Sequence, residues 1–327
     1  MPLRDVVSLP NPLVARLDAG LPLVVGGDAA AGLIARGANL EGVAPLGRLV
    51  REHPSVVTDY YGHEIAAGAD VLLALTDETM PRALAQIGMA FRSAALTGTA
   101  IELALDAVAG AKRRVAVAGL LGSRWIAPVL AERITEEYAM HATRLSTSGC
   151  EVILARGVSP EAFPHGVALA HTSRIAAIAS ACATQLPTWA VLETKDGERL
   201  IDGDSVEDAV RGAVEAGVHA VLFDVPTEAA GLAAAGVAAR LGARVGVLLA
   251  ASADARHGVP VAGALVEGWV AACKRLVDAG ACIIGGSAGT TLLHLSGLSQ
   301  VFGKSDTRLG VHPGLAAGPV ERQTSSE

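Results

Sequence analysis

Apolar residues in this chain come in short unbroken runs rather than in alternation, and segments of helical period separate the runs. Four runs are introduced by a glycine: Ala67–Leu75 through Gly68, Gly149–Leu154, Gly217–Phe223, and the Gly280 stretch continuing as Ala281–Ile284. Glycine at that point closes the preceding helix, and the chain turns directly into a buried strand. Four further runs, Leu21–Val25, Arg114–Gly119, Thr188–Leu192 and Arg244–Leu249, lie between them. Runs that are apolar at nearly every position belong to strands covered on both faces, as in a parallel sheet flanked by helices. Segments such as Ser205–Glu215 and Leu265–Asp278 carry the helical spacing. Strands and single helices in this alternation predict an α/β protein of one domain, a (β/α)8 TIM barrel. A doubly wound open sheet is the alternative, but it ordinarily has fewer strands. The barrel is expected over residues 21–313. Residues 1–20, with Pro2, Pro10 and Pro12, read as an irregular lead-in with room for one short helix. Residues 314–327, ending Gln323-Thr324-Ser325-Ser326-Glu327, read as a frayed, flexible tail.

Composition narrows the class. The 327 residues are 51% hydrophobic but only 3% aromatic, so the core is made of small aliphatic side chains that suit close helix-on-sheet packing. A net charge of -7 without a basic arm argues against nucleic acid as a partner. No uninterrupted apolar run is long enough to span a membrane, and the N-terminus lacks a signal-peptide pattern, so a cytoplasmic protein is expected. The expected partner is a small-molecule substrate. A homo-oligomer is compatible with the sequence, although Trp125, Trp189 and Trp269 mark no exposed apolar patch. Cys150, Cys182, Cys273 and Cys282 form no C-x-x-C pair, and reduced thiols are expected. Cys150 and Cys282 open predicted strands at the end away from a barrel's active face, where buried packing is their expected role.

The stretch from Ala279 to Leu298, AGACIIGGSAGTTLLHLSGL, holds a strand, a glycine-rich turn and a helix. Its Gly285-Gly286-Ser287-Ala288-Gly289-Thr290, with His294 following, resembles the last strand of the homocysteine S-methyltransferase family. There the motif reads Gly-Gly-Cys-Cys-Gly-Thr and the paired cysteines bind zinc. Other segments resemble the same family in the same order, among them His53–Val71, Arg114–Ser123 and Thr188–Val191 with Asp202–Ala209. The resemblance implies a TIM barrel that transfers a methyl group to or from a small sulfur or nitrogen compound. It also implies a zinc ion that converts a thiol to a thiolate. The residues depart from that pattern. The family's first-strand Asp is matched by Asp28, two places late. Ala155-Arg156 stand where the fourth strand usually ends Glu-Thr, the Glu binding substrate, and Asp224-Val225 replace Asn-Cys at the end of the sixth strand. The three zinc positions are therefore Val225, Ser287 and Ala288, and none of these supplies a thiolate. No cofactor is expected, and methyl transfer would follow a zinc-independent route. The alternative is a non-catalytic metabolite-binding or regulatory paralogue.

Side chains at the C-terminal ends of barrel strands converge on one mouth. Asp224 and Asp28 are the candidate catalytic residues. Asp77, Arg124, Arg156, Glu193, Gly286, Ser287 and His294 are the candidate substrate-binding set. Asp224 ends an entirely apolar strand, so its carboxylate requires a partner or a ligand. Three arrangements suit this ring. Carboxylates could accept a cationic group while Arg156 takes a carboxylate. Asp28, Asp77, Glu193 and Asp224 could together hold Mg²⁺ or Mn²⁺. The acids and arginines could simply neutralise one another. His165, His171 and His257 are expected on solvated loop or helix surfaces.

Overall fold

The computed structural model describes residues 12–123, 131–158, 167–261 and 265–302. Its strands are β1 (Leu23–Val25), β2 (Val71–Ala74), β3 (Ala116–Ser123), β4 (Val152–Val158), β5 (Thr188–Glu193), β6 (Ala220–Val225), β7 (Val245–Leu249) and β8 (Ile283–Gly286). They pair in parallel and in sequence order, and β8 returns to β1 through Leu23↔Ile283 to close the barrel. Closure excludes the open sheet. Each strand overlaps or directly abuts an apolar run read from the sequence.

Helices α1 (Pro12–Asp18), α2 (Ala29–Ala35), α3 (Pro45–Glu52), α4 (Pro54–Ala66), α5 (Pro81–Ala85) and α6 (Ser93–Ala109) belong to the first half. The second half holds α7 (Ala131–Thr147), α8 (Val167–Cys182), α9 (Val206–Glu215), α10 (Glu228–Arg240), α11 (Val266–Asp278) and α12 (Leu292–Phe302). The glycines that introduce strands take the left-handed conformation expected of them, with φ of +104° at Gly68, +103° at Gly149, +88° at Gly217 and +110° at Gly280.

The core has two shells. An inner one fills the barrel with Val25, Val71, Val152, Leu154, Trp189 and Leu222, while the outer one lies between sheet and helices. Side chains alternate along a strand. Val191 and Leu222 face inward, so Glu193 and Asp224, two places on, enter the same interior one layer higher, at the mouth. The opposite end is plugged by α1, whose Leu13 and Leu17 are buried in the inner shell. Arg16 of α1 pairs with Asp70 at 3.0 Å, and the other oxygen of Asp70 accepts from the Val24 amide at 2.9 Å. The lead-in is therefore in part a packed helix. Residues 1–11 and the expected tail at 314–327 lie outside the described residues. No described helix is long and apolar enough to cross a membrane.

Candidate functional site

At the mouth, Asp224 of β6 is 5% exposed and both of its oxygens are engaged. Arg156 Nη2 of β4 donates to Oδ2 at 2.7 Å, and the Ser287 hydroxyl donates to Oδ1. The partner required by an acid ending an apolar strand is thus a guanidinium across the barrel. Burial alone would lower the Arg156 pKa, but the charges of Asp224, Glu193 and Asp77 outweigh it and hold the group firmly protonated. Three carboxylates therefore act on one guanidinium. Its Nε is buried with no hydrogen-bond partner. Beside it a small cleft of about 20 Å³, open to solvent, is walled by Val158, Val191, Leu200 and Ile201, with Arg156, Arg174, Glu193 and Asp202 on its polar side.

The second predicted catalytic residue is placed differently. Asp28 caps α2, its Oδ1 accepting from Ala31 N at 3.1 Å. Its Oδ2 accepts from Gly258 N at 2.8 Å and Gly289 N at 3.2 Å, with His257 Nδ1 at 3.5 Å. Burial raises the Asp28 pKa, but His257 and the amides outweigh that and leave it lowered. The carboxylate ties the β1 turn to the loops after β7 and β8. His257, expected on a solvated surface, instead faces Asp28. It does so because the β7–α11 loop folds back over β1, which no local pattern announces.

The glycine-rich turn is a packing device around Thr290. A Cβ at Gly286 would lie 2.3 Å from Thr290 Oγ1, and one at Gly27 would lie 2.8 Å from it. That hydroxyl accepts from Asp28 N at 3.0 Å and donates to Ser287 O at 2.7 Å. His294 is fully buried. Its Nδ1 faces the Thr291 amide and hydroxyl, each at 3.2 Å, and its ring meets Trp269 edge-on at 5.2 Å. It belongs to the α11–α12 packing. Asp77 is half-buried in a short 3₁₀ turn after β2. Arg124 and His165 lie outside the described residues.

Further acidic side chains are buried around the mouth's supporting turns. Glu64 of α4 sits under the β1 turn, and its Oε1 accepts from Gly27 N at 3.2 Å and from the Tyr60 hydroxyl at 3.1 Å. Burial pushes its pKa up to about 7. The i, i+4 spacing of Tyr60 and Glu64 was the available signal. Glu78 accepts from Leu46 N at 2.6 Å and Gly47 N at 3.1 Å, capping α3, and burial beside Asp77 raises it to about 8. His171, also expected to be solvated, contacts Asp204 at 2.8 Å. Among the described residues, His171, Asp202 and Asp204 form the one cluster of potential metal donors within 4.8 Å of one another. Asp28, Asp77, Glu193 and Asp224 are not brought together in that way.

The residues at the positions that the resemblance assigns to zinc do not fit that ion. Val225 is packed in the outer shell, Ala288 has no donor side chain, and Ser287 is spent on Asp224. A guanidinium already supplies the positive charge at that carboxylate. The thiols are elsewhere: Cys150 and Cys273 are buried, and burial pushes Cys150 up to about 12, far from an available thiolate. Cys282 is half-buried rather than fully buried.

The homocysteine S-methyltransferase family model matches residues 27–302. Among solved structures, the metallated form of the homocysteine methyltransferase MmuM from Escherichia coli is 22% identical with a TM-score of 0.70, over 89% of this chain and 100% of that one. Its apo form is 20% identical with a TM-score of 0.64, over 89% and 99%. At such identity these structures speak to the fold. No curated protein matches the chain. With the family model running from the β1 turn to the end of α12, the chain belongs to the homocysteine S-methyltransferase family, a family of methyltransferases.

Proposed function

We propose that this barrel transfers a methyl group between small sulfur or nitrogen compounds without zinc, and that its mouth receives a methylated cation or zwitterion. One observation carries the reading: the Glu193 carboxylate lines an apolar-walled cleft beside Arg156, whose own charge is met by Asp224 at 2.7 Å. Methylsulfonium and betaine groups combine a positive centre with an apolar surface and match both features. The Arg156 Nε, buried without a partner, suits a carboxylate on the same ligand. In the transfer, the bond from methyl carbon to the cationic centre breaks and its electron pair stays on the donor. A lone pair of the acceptor forms the new bond, and an S–H or N–H proton of the acceptor leaves to a mouth carboxylate.

Without a metal, a thiol acceptor is only a few per cent ionised at neutral pH, so proton removal by the mouth carries more of the burden. An ion pair alone would equally neutralise a mouth that does no chemistry. The cleft bordered by Glu193 and the unsatisfied Nε favour a ligand. The test is transfer of a ¹³C-methyl label from S-methyl-L-methionine or glycine betaine to homocysteine, followed by NMR in excess chelator. Turnover unaffected by chelator and lost in Glu193→Gln supports the reading. Turnover that stops with chelator and returns with zinc overturns it.

A further inference from the structure

The roof of the cleft is the segment between β5 and α9, a short antiparallel hairpin bridged at Thr194↔Leu200 and Arg199↔Ser205. It brings Leu200, Ile201 and Asp202 over the cleft. The segment is held in shape by its own bonds, among them Ile201 N to Glu193 O at 3.0 Å, Leu200 N to Asp204 O at 2.9 Å, Thr194 Oγ1 to Arg199 O at 2.6 Å, Val206 N to Glu198 O at 2.8 Å, and the amides of Glu198 and Arg199 on Asp196. Thr194 N ties its start to Asp224 O at 3.1 Å and Gly197 packs closely on α10, and on the side of the cleft Arg174 of α8 clasps it. The side chain is 8% exposed, its Nε donates to Asp202 Oδ2 at 2.7 Å and its Nη2 to Asp204 Oδ2. His171, one turn earlier, holds the same Asp204 oxygen.

The backbone of Arg174 also shapes the floor. Gly157, next to Arg156, has φ of +81°, and a Cβ there would lie 2.7 Å from Arg174 N and Cα. The neighbouring Ser173 hydroxyl accepts from Val158 N at 2.9 Å. One turn of α8 thus grips the end of β4, which carries Arg156, and the hairpin roof above it.

We propose that Arg174 is a positioning residue that sets the shape of this cleft by clasping the hairpin to β4. The choice of arginine follows from the task, since a planar fork spans two carboxylates and an ammonium does not. The same geometry argues against a metal at His171, Asp202 and Asp204, because the guanidinium already occupies an oxygen of each acid. The ligand-binding consequence rests on the proposed function; the clasp itself does not.

The experiment pairs hydrogen exchange of residues 196–205 with calorimetric binding of glycine betaine and S-methyl-L-methionine. In Arg174→Met the hairpin amides exchange at least about tenfold faster and the probes bind about tenfold more weakly, while Arg174→Lys recovers part of both. Asp204→Asn, at a half-exposed position, provides the same exchange readout where Arg174→Met does not fold. Exchange in Arg174→Met and Asp204→Asn within about twofold of the wild type overturns the clasp. Faster exchange with unchanged probe affinity overturns its role in the cleft. If neither probe binds the wild type, the ligand class of the proposed function falls, and exchange still decides the clasp.

Discussion

Asp224 and Arg156 form the residue pair on which the mouth depends, and their value lies in being together. Removing one partner of a buried pair strands the other charge, at a cost of about 3–5 kcal/mol. Arg156→Met is expected to lose roughly that much stability, measured by urea unfolding. Arg156→Met/Asp224→Leu is expected to recover most of it, since an apolar pair of similar volume needs no solvation. A double variant as unstable as the sum of the singles would show that the two residues act independently. Glu64 gives a second residue-scale prediction. Its folded pKa of about 7 lies above the ordinary 4.5, so between those values the folded state holds more protons than the unfolded one. Stability from this group is therefore full below pH 4.5 and declines as pH rises, by an amount on the order of 3 kcal/mol once pH passes 7. Glu64→Gln keeps an acceptor for Gly27 and Tyr60 and removes the titration. The difference in unfolding free energy between variant and wild type should widen in the variant's favour from pH 5 to pH 8. A constant difference would mean that Glu64 stays ionised when buried.

At the scale of elements, Asp28 joins three: it caps α2 and holds the turns at Gly258 and Gly289. A lost cap costs about 1 kcal/mol and each lost amide bond about as much again. Asp28→Ala is expected to lose roughly 2–4 kcal/mol by those measures, while exchange quickens at Gly258 and Gly289. Because its pKa is lowered, this contribution is present above the ordinary value and disappears as pH falls through the folded one. The element scale also marks where the sequence stops being legible. Strands buried on both faces wrote themselves as unbroken apolar runs, and their glycine starts followed from helix capping. Asp224 announced its need for a partner because nothing apolar could satisfy it. His257 on Asp28, and Arg174 across Asp202 and Asp204, depend on which loop folds over which strand. No periodicity encodes that. Arg156 with Asp224 lay between these cases: both stood at strand ends, and only barrel closure fixed that they meet.

For the whole molecule, the question is what holds the mouth of a homocysteine S-methyltransferase barrel in which Val225, Ser287 and Ala288 stand at the positions that the resemblance assigns to thiolates. The Arg156 guanidinium, paired with Asp224 at 2.7 Å, places a positive charge in that mouth, and under the proposed function no zinc adds to it. The consequence is thermodynamic. A metal bound only by the folded state at a hundred times its Kd would add about 2.7 kcal/mol of stability, which moves Tm by several degrees in a domain of this size. This protein is expected to show no such linkage: Tm is unchanged by EDTA, unchanged by added Zn²⁺, and elemental analysis finds metal well below one ion per chain. Ser287→Cys with Ala288→Cys places two thiols at the turn after β8, yet should bind zinc weakly, because the guanidinium stays at Asp224 and Val225 still faces the helices. Tight zinc in that variant would mean that Arg156 gives way easily and that the ion pair is a bystander. Stoichiometric zinc in the wild type would mean that donors away from Asp224 hold the metal, and the mouth would then carry two positive centres instead of one.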